Sequence, residues 1–210
     1  MRIAIIGRGM VGSALGPAFI AAGHDVAYGL RNPADPKHAD TGGIRALQTG
    51  EAADWAELVV LAVNWPDVDQ ALLDCGPMEG RILIDCTNPL DFSPEAGLSL
   101  AVGFSTSGGE YVAERTRARV VKTLNHVGFQ VMAAARSYPM PPIQFVAGED
   151  PEARRIVGGL LEQLGFRPID FGGIANARRL EPLAIISIDL MFRHGHPFDT
   201  AWALMTPGRA

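Results

Sequence analysis

Three glycines, Gly7, Gly9 and Gly12, stand in G-x-G-x-x-G spacing between the β-branched run Arg2 to Ile6 and a segment with helical apolar periodicity. Each glycine has a mechanical role in that motif. The first allows a tight turn, the second lets a pyrophosphate approach the backbone, and the third lets the helix lie close to the strand. The start of such a helix offers unpaired N–H groups and a partial positive charge to phosphates. Within a βαβ unit, "RIAIIGRGMVGSALGPAFIAAGHDVAYGLR" therefore points to a bound dinucleotide.

The residue about 20 positions beyond the last glycine closes the second strand, where a carboxylate would accept a hydrogen bond from the adenosine ribose of NAD. Here it is Arg31, followed by Asn32. A guanidinium suits the extra 2′-phosphate of NADP, which it can pair bidentately. Lys37 supplies a second cation, and the end of the strand carries no competing carboxylate. The cofactor expected from these residues is NADP(H).

In an open parallel sheet, ligands lie beyond the carboxyl ends of the strands. The chain continues there as "NWPDV", "CTNPL" and "NHVGFQVM". Asn64, Trp65, Thr87, Asn88, Asn125 and His126 thus become candidates for the nicotinamide end. Their amides, hydroxyl, indole and imidazole suit a neutral carboxamide and a planar ring, and no metal site is expected. Asn125 and His126 are the candidates for positioning a substrate. Competing structural roles exist: Trp65 before Pro66 as a helix staple, Asn88 before Pro89 as a turn former. His194 and His196 suit a helix C-terminus, where the dipole favours them. Lys122 and Asn125 reproduce the K-x-x-N spacing of the β-hydroxyacid dehydrogenases, but Lys122 falls on a strand, so lysine-mediated alcohol oxidation is not expected.

The elements that position these residues alternate between short β-branched runs and helical patterns, the mark of a parallel sheet covered by helices. Strands are expected at residues 2–6, 25–30, 58–63, 81–85, 120–124 and 143–147, with weaker ones at 44–47 and 167–171. Helices are expected at 10–22, 66–74, 108–117, 151–164 and 174–193. Asp150 and Pro151 supply a cap and a first-turn proline for the fourth helix. Residues 32–43 and the Pro-rich stretch "ARSYPMPPIQ" read as loops. The fold class expected is a Rossmann-type, doubly wound, mostly parallel α/β sheet with a small C-terminal α/β extension ending in a long helix. One compact unit, residues 1–210, is anticipated, softly divided into a nucleotide-binding part (1–118) and a part (119–210) that shapes the substrate cleft and a dimer interface.

The chain is long enough for a sizeable core, with 48% hydrophobic residues among 210. A net charge of -5 gives no electrostatic footprint for nucleic acid or an anionic membrane. Any anion must be held locally, by backbone amides and a few arginines. The N-terminal apolar run is too short for a leader or a span, and the run near the end is about half of spanning length. Two cysteines, without metal spacing, suit a reducing cytoplasm. The final helix is apolar around much of its circumference, so a homodimer through it is expected.

"RIAIIGRGMVGSAL", "GHDVAYGLR", "LVVLAVNW", "VVKTLN" and "FVAGEDPEARRIVGGLLEQLGFRPIDFGGIANARRLEPLA" together resemble the F420-dependent NADP oxidoreductases and their bacterial relatives. A cousin group is the NADPH-binding domain of membrane ferric reductases. The resemblance implies hydride transfer between NADPH and a planar acceptor, coenzyme F420 or a flavin, with little protein acid–base chemistry. It also implies that Gly7, Arg8, Gly9, Met10, Val11 and Gly12 hold the pyrophosphate and Arg31 the 2′-phosphate. Ala62, Val63, Asn64 and Trp65 would run along the cofactor toward the nicotinamide. This chain departs from the family pattern in two places. Leu30 stands where a hydroxyl often accompanies the arginine, and the histidine expected at the slot of Asn125 comes one residue later, at His126. The alternatives are a non-catalytic NADP(H)-binding redox sensor and a small carbonyl or imine reductase. A ring-side cavity lined by Trp65, His126 and Met132 would separate an enzyme from a sensor.

Overall fold

A computed structural model describes residues 1–95 and 97–207. Its centre is a six-stranded parallel sheet built from β1 (Arg2–Ile6), β2 (Asp25–Leu30), β3 (Arg45–Gln48), β4 (Leu58–Leu61), β5 (Ile82–Asp85) and β8 (Arg119–Lys122). The strand order is β3-β2-β1-β4-β5-β8, so the direction of winding reverses between β1 and β4. This is the Rossmann-type α/β order, and the crevice at the reversal is where such sheets bind ligands.

The strands are apolar almost without interruption because both faces of the sheet are covered. Alternate residues feed two cores. Ile3, Ile5, Val26, Tyr28, Val60 and Ile84 pack on one face with Leu15 and Phe19 of α1 (Met10–Ala21) and Val157, Leu160 and Leu161 of α6 (Pro151–Leu164). Ala4, Ile6, Val59, Leu61 and Leu83 pack on the other with Ala52 and Ala53 of α2 (Thr49–Trp55) and Val68 and Leu72 of α3 (Val68–Cys75). The two free cysteines divide between these layers, Cys86 in the first and Cys75 in the second. Both are buried, and burial pushes the Cys75 thiol up to about 12 and that of Cys86 higher still.

β6 (Leu90–Ser93) and β7 (Gly97–Leu100) form an antiparallel hairpin beyond the exit of β5. After α4 (Gly108–Ala113), β8 and α5 (Phe129–Ala134), the strands β9 (Ile143–Val146) and β10 (Arg167–Asp170) pair in parallel around α6. α6 shows the expected cap, with Asp150 accepting from the Ala153 N–H at 2.8 Å, Pro151 opening the helix and Gly165 closing it in the left-handed region. α7 (Ala177–Phe192) ends the regular structure. The chain then returns along β9, where the Ile143 N–H donates to the Trp202 carbonyl at 2.9 Å.

Several expectations are adjusted. The strands expected to reach Val63 and Leu124 stop at Leu61 and Lys122. Leu124 adopts a φ of 63°, in the left-handed region a leucine rarely enters, which marks an abrupt turn at the β8 exit. α7 begins three residues later than expected, preceded by a short 3-10 turn at Ile174–Asn176. It buries only a stripe, Ala177, Leu180, Glu181, Ala184 and Ser187.

Candidate functional site: a dinucleotide cleft at the sheet reversal

The glycine loop leaves β1 with Gly7 at φ 97°, its N–H held by the Gly29 carbonyl of β2 at 3.0 Å. A Cβ at Gly7 would lie 2.6 Å from the Ala62 carbonyl oxygen, and one at Gly12 would overlap the Gly7 carbonyl oxygen. Nothing lies within 4 Å of a Cβ placed at Gly9. The three glycines thus serve different ends: two allow close backbone packing, and Gly9 keeps the surface open. α1 starts immediately after Gly9 with no side chain capping it and no acidic residue in its first turn. Its first N–H groups and positive dipole end are therefore left for an anion.

A cleft of about 700 Å³ opens at this point. Of the candidate cofactor residues, Gly7, Arg8, Gly9, Arg31, Asn32, Lys37, Ala62, Val63 and Asn64 line it. So do His38, Thr49, Asp67, Ala71 and Asp74, which were not singled out from sequence. Arg8 does not point at the glycine loop's amides. It donates to the carbonyls of Lys37 (3.3 Å) and Asp40 and lies 5.7 Å from the Tyr28 ring centre, tying the 32–43 loop to the cleft rim. Lys37 pairs with Asp35 at 3.1 Å. Arg31 reaches Asp67 at 3.3 Å, so the expectation of no competing carboxylate is corrected: the acid arrives from the β4 exit instead of from β2. Asp67 belongs to "NWPDV", far from Arg31 along the chain, and only the fold carries it across.

Met10, Val11, Gly12, Trp65, Thr87 and Asn88 do not line the cleft. Met10 is exposed, Val11 packs against a core cluster and Gly12 is buried in the turn. Trp65 lies against Tyr111, with ring centres 5.2 Å apart, beneath α4. The side chains at the β5 and β8 exits are engaged with one another. Thr87 gives its hydroxyl to Asp85 Oδ1 at 2.7 Å. Asn88 Nδ2 donates to the Asn125 carbonyl at 2.7 Å, and Asn125 Nδ2 to Asn88 Oδ1 and the Leu180 carbonyl, both at 3.0 Å. His126 is wholly buried beside Phe145, its Nε2 has no hydrogen-bond partner, and burial lowers its pKa to about 4. It is a neutral core imidazole, and Met132 is likewise buried in the core. None of Trp65, His126 and Met132, the residues whose ring-side cavity would separate an enzyme from a sensor, lines this cleft.

Behind these exits lies a buried ion cluster that sequence reasoning missed. The Lys122 ammonium donates to Asp85 Oδ2 (2.9 Å), the Thr87 carbonyl (2.6 Å) and Glu181 Oε1 (3.0 Å). Burial opposes its charge, but Asp85 and Glu181 together outweigh that and hold its pKa above the ordinary lysine value. Glu181 also accepts the N–H groups of Gly108 and Gly109 at 2.9 Å each, fixing the start of α4 to α7. The K-x-x-N lysine is thus a structural ion, fully enclosed.

Among the described residues, no group of three or more His, Cys, Asp or Glu is placed to hold a metal ion. None of their helices is long and apolar enough to cross a membrane.

Residues 2–89 match the family model described as NADP oxidoreductase, coenzyme F420-dependent. A crystal structure from Arthrobacter sp. FB24, provisionally described as an F420-dependent NADP-reductase, is 32% identical, with a TM-score of 0.84 over 92% of this chain and 94% of that one. The F420-dependent NADP reductase of Methanothermobacter thermautotrophicus is 26% identical over 92% of this chain and 90% of its own length. Metalloreductase STEAP3 of Rattus norvegicus is 24% identical over 88% of this chain, which spans 36% of that protein. With identity above 30% sustained across nearly the whole of both chains, and with the glycine loop and Arg31 facing one cleft, this chain belongs to the F420-dependent NADP oxidoreductase family.

Proposed function

We propose that the chain transfers hydride between NADP(H) and a planar acceptor, a deazaflavin such as coenzyme F420 or a flavin, with Arg31 pairing the 2′-phosphate. The observation that carries this reading is the cleft itself, which runs from the uncapped start of α1 to Arg31 and Lys37. The dinucleotide's diphosphate fits the free amides of the first turn, and its second anionic group fits the arginine. Hydride transfer needs two rings held about 3 to 3.5 Å apart with water excluded, and little else from the protein. Names of the relatives favour F420 as the acceptor.

The test is loss of NADPH absorbance with F420, FMN or a ferric chelate offered, alongside NADP+ titration of wild type and Arg31→Ala. Turnover with a planar acceptor, and affinity lowered about 10- to 100-fold by the substitution, is the expected result. Equal NADP+ affinity in the two proteins overturns the role given to Arg31. A second reading, the redox sensor, draws support from the side chains of Thr87, Asn88 and Asn125, three of the polar candidates for the ring end, which are engaged in hydrogen bonds within the protein. Tight NADPH binding without turnover on any acceptor would favour it.

A homodimer through α7 is part of the proposal. Ile186 and Phe192 of α7 are exposed, as are Phe92 on the β6–β7 hairpin and Phe104 beyond it, and β7 packs on α7. Exposed apolar side chains on α7 and on the neighbouring hairpin suit burial against a second copy.

A further inference from the structure

Asp67 ends a 3-10 turn, Trp65–Asp67, that runs straight into α3, with helical backbone angles (φ -92°, ψ -3°). Its side chain accepts no hydrogen bond from the amides of α3. It turns into the cleft, and among the described residues the carboxylate's polar partner is the Arg31 guanidinium at 3.3 Å. The fold thus sets this carboxylate against the cation read as holding the 2′-phosphate.

We propose that Asp67 sets the NADP(H) over NAD(H) preference of the site by competing with the 2′-phosphate for Arg31. The inference rests on the reading of the cleft as an NADP(H) site. A 2′-phosphate must draw the guanidinium away from the carboxylate and accept a like charge close by. Because the pair is largely exposed it is weak, so the phosphate still wins, at reduced affinity. With NAD(H) the same carboxylate is free to accept from the 2′-hydroxyl, the role that β2 leaves unfilled. Asp67 thus narrows the gap between the two cofactors, supplying from the β4 exit the acid that the β2 exit lacks.

The experiment is calorimetric titration of NADP+ and NAD+ into the full chain for wild type, Asp67→Asn, Asp67→Ser, Arg31→Ala and the double variant Arg31→Ala/Asp67→Asn. Both Asp67 variants should tighten NADP+ about three- to tenfold and leave NAD+ unchanged or weaker, with melting temperatures near wild type because the exposed pair adds little stability. In the Arg31→Ala background the gain from Asp67→Asn should shrink to what relief of the like charge alone gives. Unchanged or weaker NADP+ binding in Asp67→Asn, equal tightening of both cofactors, or a gain undiminished without Arg31 would each overturn the competition. Wild-type NADP+ affinity in Arg31→Ala is a separate outcome: it removes the phosphate role of Arg31, and the inference falls with it.

Discussion

At the scale of single residues, His126 shows how burial decides what an imidazole does. A free histidine would exchange protons near neutrality, whereas this one is enclosed, lacks a partner at Nε2 and titrates near 4. Its folded pKa lies below its unfolded value, so the unfolded chain binds more protons as pH falls. The neutral ring's contribution is complete above the unfolded value of about 6.5 and is lost as pH drops toward the folded one. Between pH 6.5 and 5 this residue should cost wild type up to about 1.4 kcal/mol per pH unit in denaturant unfolding, and His126→Gln should remove that slope. An identical slope in the variant would show that another group is responsible. The same residue marks a limit of sequence reading. Its place after a strand suggested a ligand-facing side chain, but the left-handed turn at Leu124 sends Asn125 and His126 back toward the core.

Among the elements, the Lys122 cluster joins β5, β8, α4 and α7 where the sheet meets the last helix. Each ammonium proton has an acceptor, so the cluster is satisfied, and its value lies in fixing these elements in place. Lys122→Met leaves two carboxylates buried without their cation and should cost about 3 to 5 kcal/mol in urea unfolding. Adding Glu181→Gln should recover part of that loss, and a single variant within about 1 kcal/mol of wild type would contradict the account. Elements of this kind were unevenly legible. β1, β2, α1 and α6 declared themselves through β-branched runs, the glycine motif and the Asp150–Pro151 cap. α2, α5 and the β6–β7 hairpin were missed because each is only four to seven residues per element and forms by docking. In α2, for instance, Ala52 and Ala53 are fully buried, although the Gln48 and Glu51 capping box gave a usable signal. The partners of Asn125 could not be read from spacing, since Asn88 and Leu180 lie 37 and 55 positions away.

For the molecule as a whole, the sheet reversal fixes where the cleft opens, and α7 keeps one side exposed, the side the proposed dimer would bury. Light scattering at micromolar concentration should give twice the chain mass, and Ile186→Asp should return it to monomer; a wild-type monomer would refute the dimer. The glycine motif pointed to a ligand beyond the strand ends, but which strands flank the reversal, β1 and β4, was not legible from it, because strand order depends on long-range pairing. The two-layer core has a further consequence through its sulfurs. Cys75 and Cys86 lie on opposite faces of the sheet, both enclosed and both with raised pKa. The folded chain therefore offers no thiolate to a peroxide, a disulfide or an electrophilic acceptor. In the proposed reaction the electron pair would therefore pass directly between bound molecules, with neither cysteine as a relay.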